Sequence, residues 1–119
     1  MENKKKGFIY KIEVDDELLY IGSTKNMTQR KYNHKSKCFK ENDKTYNGFL
    51  YKTIRSKGIT RETFKERVKM IWICDVEFTK RYELTAVEAK FIKELQPICN
   101  CDIPYGKEPK LAIKEYGKE

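Results

Sequence analysis

A chain of 119 residues, 39% apolar and 13% aromatic, has material for one modest core and not for two. Its net charge of +8 is lopsided: residues 1–60 carry 14 Lys/Arg against 7 Asp/Glu, and residues 61–119 carry 12 against 11. That balance points toward phosphate-bearing partners, although solubility alone would also account for it. No apolar run approaches the length of a membrane span, and "MENKKKG" lacks the apolar segment of a signal peptide. These features predict a soluble intracellular protein (cytoplasm, nucleoid or nucleus) with no membrane partner.

Residues 1–6 read as a basic arm. "GFIYKIEV" (Gly7–Val14) is rich in β-branched and aromatic residues and predicts a strand. Asp15–Glu17 supplies a turn, and "LLYIGS" (Leu18–Ser23) returns as the second strand of a hairpin. Thr24 or Asn26 can cap a helix running to about Lys37. A polar connection, Cys38–Asn47, leads to a second short helix over Gly48–Gly58, with Leu50, Tyr51 and Ile54 inward and Gly58 as its stop. "FKERVKMIWIC" (Phe64–Cys74) predicts a third strand with Val68, Met70, Trp72 and Cys74 on one face. A periodic helix from about Thr79 to Leu95 ends before Pro97, and a charged tail follows over 101–119. The order ββααβα predicts a small α/β (α+β) domain around an antiparallel sheet. The spacing of Cys38, Cys74, Cys99 and Cys101 suits no zinc or redox motif, and all four are expected to be reduced thiols.

Polar residues interrupt this pattern in two places. In the last helix Leu84, Val87, Glu88, Phe91, Ile92 and Leu95 follow the spacing of a buried stripe, and one of the six is a carboxylate. An ionised, unpaired Glu88 would cost several kcal/mol, so it needs a cation, a donor network or a metal. Alternatively, "TAVE" makes Thr85 and Glu88 a capping box. In the first helix Met27, Arg30, His34 and Cys38 share one side, so a guanidinium and the chain's one imidazole stand four residues apart. Arginine grips phosphate bidentately and histidine moves protons near neutral pH, but a solvated basic face with Lys31, Lys35 and Lys37 would look the same. Tyr10 and Tyr20 lie near the ends of facing strands, and Gly22 marks a place of close approach.

With these residues placed, the sequence resembles the GIY-YIG nuclease superfamily. "GFIY" (Gly7–Tyr10) and "LYIG" (Leu19–Gly22) stand for the two half-motifs. "KNMTQRKYNH" (Lys25–His34) resembles the helix that follows them, and "VEAKFIKELQPICN" (Val87–Asn100) resembles the closing segment. The match spans residues 7–100. It implies a three-stranded antiparallel sheet flanked by helices and hydrolysis of DNA phosphodiesters with a divalent ion, Mg²⁺ with Mn²⁺ as a substitute. Carried over by position, the resemblance makes Glu88 the single protein ligand of the metal and Tyr10 the base that takes a proton from water, helped by Tyr20 or His34. Arg30 would hold the scissile phosphate, and Asn100 would hydrogen-bond that phosphate or hold the site together.

Two positions depart from the family pattern. Phe8 stands at the first letter of the GIY half, with Gly7 one place earlier. Ser23 follows the YIG half where some members carry a lysine, and Lys25 is the nearest substitute. With no separate recognition domain, contacts from Lys25, Lys31, Lys35 and the Gly22 backbone would give DNA binding of low sequence selectivity, to duplex or structured DNA. A monomer is expected, with a dimer as the alternative. Lys outnumbers Arg 21 to 5, compatible with an AT-rich phage or viral genome. The competing reading is a catalytically silent nucleic-acid-binding module that kept the fold.

Overall fold

Alternating apolar and polar residues build the hairpin, as β1 (Lys5–Val14) and β2 (Glu17–Thr24). The computed structural model describes residues 4–100, so the expected tail and the first three residues of the expected arm lie outside the described residues. Asp15 and Asp16, at φ 53° and 64°, form a two-residue turn in the left-handed conformation that suits the twist of a hairpin. Asn26 caps α1 (Met27–Phe39), its Oδ1 accepting from the Gln29 amide at 2.9 Å. Then come α2 (Phe49–Ser56), α3 (Phe64–Arg67), β3 (Val68–Phe78) and α4 (Arg81–Leu95). Gly58, at φ 80°, follows α2 in a conformation that favours glycine.

The three strands form one antiparallel sheet in the order β2–β1–β3, with β1 central. On one face Tyr10, Ile12, Val14 and Leu19 pack with Cys38 of α1, Leu50, Tyr51 and Ile54 of α2, and Phe64 of α3. On the other face Ile9 and Ile21 pack with Phe78 and with Leu84 and Ile92 of α4. The sheet and the element order match the α+β expectation.

The third strand differs in detail from the sequence reading. Phe64–Arg67 is a helical turn rather than the start of a strand, and β3 continues to Phe78 because Lys5 and Lys6 extend β1 and pair with Phe78 and Glu77. Asp75 and Glu77 break the apolar run, which is why the strand read as ending at Cys74. The register between β1 and β3 slips by one residue, so Ile9 faces Cys74 while Tyr10 faces Trp72. A bulge of this kind moves everything beyond it to the opposite face. Val68 and Met70 therefore join the core beside α1 and α2, Cys74 packs beside α4, and the Trp72 indole is exposed, donating to Asp75 Oδ1 at 2.8 Å.

Two ties hold the outer elements in place. Arg55 of α2 donates to the carbonyls of Cys38 and Tyr46 and lies 3.7 Å over the Tyr46 ring, fixing α2 to the C-terminal end of α1. After Pro97 the chain runs beside β2: the amides of Ile98 and Cys99 donate to Leu18 and Leu19, and Asn100 reaches Ile21. Main-chain groups along the outer edge of β2 are thereby paired.

The turn offers a direct check on the hairpin. Replacing Asp16 by Gly relieves a left-handed conformation that non-glycine residues adopt at a cost, and should raise stability by about 0.5–1 kcal/mol. Urea unfolding of Asp16→Gly beside the wild type would measure it.

Candidate active site

Tyr10 stands directly opposite Gly22 in the β1–β2 register. A Cβ at Gly22 would lie 2.5 Å from the Tyr10 hydroxyl and 2.8 Å from Cε2 of Tyr20. Glycine is required here because the Tyr10 ring crosses the backbone of β2 where a side chain would stand. The close approach expected at Gly22 is thus made by a phenol of the protein itself. Tyr10 has no exposed surface.

The crossing brings the Tyr10 hydroxyl to His34. Tyr10 Oη lies 2.7 Å from His34 Nε2, and His34 Nδ1 lies 2.8 Å from the Tyr51 hydroxyl. The Tyr20 ring packs edge-on against His34, with centroids 5.8 Å apart, and tilted against Tyr10. Burial, then the nearby charges of Arg30 and Lys37, push the His34 pKa down to about 3, so the imidazole is neutral. Burial pushes the Tyr10 phenol well above its ordinary value, and the charge and hydrogen bonding of Arg30 oppose that rise. Tyr20 and Tyr51 are raised as well, again chiefly by burial.

Glu88 occupies the other side of the sheet. Glu83 accepts from the amides of Thr79 and Lys80 and so caps α4, leaving Thr85 inside the helix with its hydroxyl on the Tyr82 carbonyl. Glu88 is therefore a buried carboxylate in mid-helix rather than half of a capping box. The Ser23 hydroxyl donates to its Oε1 at 2.5 Å. Burial raises its pKa, while the Ser23 bond and the charges of Arg30 and Arg81 pull it down. Ser23, which stands where some family members have lysine, holds this carboxylate.

Tyr10, Tyr20 and His34 cluster on the α1 face, and Glu88 approaches from α4, near enough for its charge to add to the rise of both phenols. Arg30 acts electrostatically on Tyr10, His34 and Glu88 alike. It also borders a cleft of about 180 Å³ between the starts of α1 and α4, lined by Thr24, Lys25, Asn26, Gln29, Asn33, Arg81 and Leu84. Lys25 lies in this cleft, whereas Lys31 and Lys35 are half-buried on α1 and outside its lining. Asn100 is buried, and its amide both accepts from the Ile21 N–H at 2.7 Å and donates to the Ile21 carbonyl at 2.9 Å.

Three participants were not singled out in the sequence. Ser23 stood out only as a departure from the family pattern. Tyr51 read as a core residue, although a buried tyrosine needs a partner for its hydroxyl. Arg81 carried no signal of its own: it stands two turns before Glu88 on α4, and only tertiary packing brings it near Arg30. Among the described residues no three of His, Cys, Asp and Glu gather in a metal-binding group. One hard carboxylate suits an ion that keeps most of its shell as water and phosphate oxygen, as Mg²⁺ does, and does not suit a closed zinc site.

Two outcomes follow from this geometry. Gly22→Ala should displace the Tyr10 phenol, lower stability by about 1–3 kcal/mol and break the contact with His34, readable in urea unfolding and in the imidazole NMR signals. His34 is held neutral with a folded value near 3 against 6.5 unfolded, so its contribution is present above pH 6.5 and lost as the pH falls toward 3. By pH 5 the loss should reach about 2 kcal/mol relative to His34→Gln, measured as the difference between the two proteins' stability-versus-pH curves.

Comparison with known proteins agrees with this architecture. A family model described as the GIY-YIG catalytic domain matches residues 6–100. No curated protein and no solved structure gives a match. Among the described residues no helix is long and apolar enough to cross a membrane. With the half-motifs at Tyr10 and Gly22, a three-stranded antiparallel sheet, and a model match over most of its length, the chain belongs to the GIY-YIG family of nuclease domains.

Proposed function

We propose that this protein is a DNA endonuclease that hydrolyses phosphodiester bonds with the help of a divalent ion, Mg²⁺ or Mn²⁺ in its place. The observation that carries the reading is the Tyr10–His34 contact at 2.7 Å together with the buried Glu88 held by Ser23, beside a cleft walled by Arg30, Arg81 and Lys25. A phenol–imidazole pair can move a proton, a guanidinium can hold a phosphate, and a buried carboxylate can take a hard cation.

In this reading a backbone phosphate enters between Arg30, Arg81 and Lys25, where three cations can neutralise it. The strand on either side needs only charge to bind, so sequence preference is slight. Tyr10 is covered in the free protein, with Arg30 beside its oxygen. A phosphate that draws the guanidinium toward the cleft uncovers that oxygen to a water. Tyr10 then works as a relay: its oxygen accepts the water's proton while its own proton passes to Nε2 of His34. A free phenolate, which burial disfavours, never has to form. Negative charge placed on Arg30 also relieves one of the effects that hold His34 neutral, so substrate binding raises the imidazole's proton affinity.

Glu88, steadied by Ser23, would hold the divalent ion. Bound there, the ion would polarise the phosphoryl oxygen and stabilise the leaving oxygen. Tyr20 walls the imidazole with its ring, and Asn100 serves by clamping Ile21, and with it the strand that carries Tyr20, Gly22 and Ser23. DNA in duplex or structured form is the substrate class, and a monomer suffices for cutting one strand at a time.

Nicking of supercoiled plasmid, with and without Mg²⁺, tests this reading. The wild type should nick in a metal-dependent manner. Tyr10→Phe and Glu88→Ala should lose on the order of 10²-fold or more in rate while remaining folded. Arg81→Ala should instead weaken DNA binding and reduce the slope of log affinity against log salt by about one. Metal-independent DNA binding without cleavage would favour the silent-module alternative, and full activity in Glu88→Ala would remove that residue from the site.

A further inference from the structure

We infer that Tyr51 sets the tautomer of His34, placing the proton on Nδ1 and leaving Nε2 bare toward Tyr10. The tautomer follows from the geometry; its catalytic purpose rests on the nuclease reading.

Tyr10 has no exposed surface, so its hydroxyl proton must go to an acceptor within the protein. Arg30 offers donors and no acceptor. His34 Nε2, at 2.7 Å, is an acceptor when it carries no proton. A neutral imidazole with a bare Nε2 carries its proton on Nδ1, and that N–H meets the Tyr51 oxygen at 2.8 Å. The imidazole stands edge-on to both phenols, with centroids 5.8 Å from Tyr10 and 5.9 Å from Tyr51, so each ring nitrogen addresses one hydroxyl.

Tyr51 is held where this role needs it. Arg55, one turn along α2, binds the carbonyls of Cys38 and Tyr46, and the Cys38 thiol rests against the Tyr51 carbonyl at 3.9 Å. The arrangement has the logic of a reacting group, a base and an orienting residue. Its third member is a neutral acceptor: it fixes the tautomer without a negative charge that would fill Nε2 with a second proton in the resting protein. The charged and titratable neighbours of the imidazole are Arg30, Lys37 and Cys38 from α1, Tyr10 and Tyr20 from the sheet, and Tyr51 from α2.

In the reaction the Tyr10 O–H bond breaks as an N–H bond forms at Nε2. The Tyr10 oxygen takes a proton from water, the water oxygen bonds to phosphorus, and the bond to the leaving oxygen breaks with its electron pair. Nδ1–H stays hydrogen-bonded to Tyr51 throughout. In the opposite tautomer Nε2 already holds a proton and cannot accept one from Tyr10. Tyr51 is thus a positioning residue.

The chain has one histidine, so ¹⁵N NMR of the full-length labelled protein at pH 7 reads this tautomer directly. The wild type should show a protonated Nδ1 and a bare Nε2. Tyr51→Phe keeps the ring and removes the acceptor; it should give a mixed or reversed tautomer and lower kcat for nicking about 10–100-fold with KM unchanged. Cys38→Ala, which loosens packing at Tyr51 without touching its hydroxyl, should keep the wild-type tautomer. A wild-type spectrum with the proton on Nε2 overturns the inference without need of any variant. So does an unchanged tautomer in Tyr51→Phe, or an equal shift in Cys38→Ala. If the spectra come out as expected but no DNA is cut with Mg²⁺ or Mn²⁺, the tautomer assignment stands and the nuclease reading falls.

Discussion

The site depends on a phenol crossing a strand. Tyr10 extends from the central strand across the backbone of β2, and it can do so because the residue beneath it has no Cβ. From that crossing come the contact with His34, the edge-on packing of Tyr20, and the reach of Arg30 to the phenol oxygen. A tyrosine confined to its own strand would be an ordinary core ring, and His34 would face an apolar wall with a ring nitrogen unsatisfied, at a cost of about 1–3 kcal/mol.

Burial gives this cluster its chemical character. The same desolvation raises the phenols and lowers the imidazole, so every member of the Tyr10–His34–Tyr51 chain is neutral at rest. Neutral partners with matched donors and acceptors hold a proton without stored charge. Arg30 is the charged group at the boundary, and it bears on both faces of the sheet and on the cleft. An anion arriving at Arg30 changes the electrostatics of Tyr10, His34 and Glu88 together.

The surrounding fold keeps a small sheet from loosening at its working edge. β2 is an outer strand, yet the residues after α4 pair with Leu18 and Leu19, and Asn100 uses both ends of its amide on Ile21. Arg55 does the corresponding job for α2. Neither tie touches the reacting groups, and both fix the strands and helices that carry them.

The sequence by itself determined the hairpin, the three longer helices, the α+β class and the family signature, because those depend on local periodicity, turn chemistry and short-range spacing. Tyr10, Arg30, His34 and Glu88 were legible as polar or aromatic residues at positions where a buried stripe or a close approach is expected. Only the tertiary structure decided how they meet. The bulge that sends Cys74 and Trp72 to different faces is a register event between β1 and β3, invisible in either strand alone. The approach of Glu88 from α4 toward the tyrosines, while the imidazole comes from α1, follows from helices packing on both faces of one sheet. Ser23 and Tyr51 gained their partners across 65 and 17 residues of chain, and Arg81 shares its cleft with Arg30 from 51 residues away. Contacts at such separations are fixed by burial and packing, and no local pattern in the sequence encodes them.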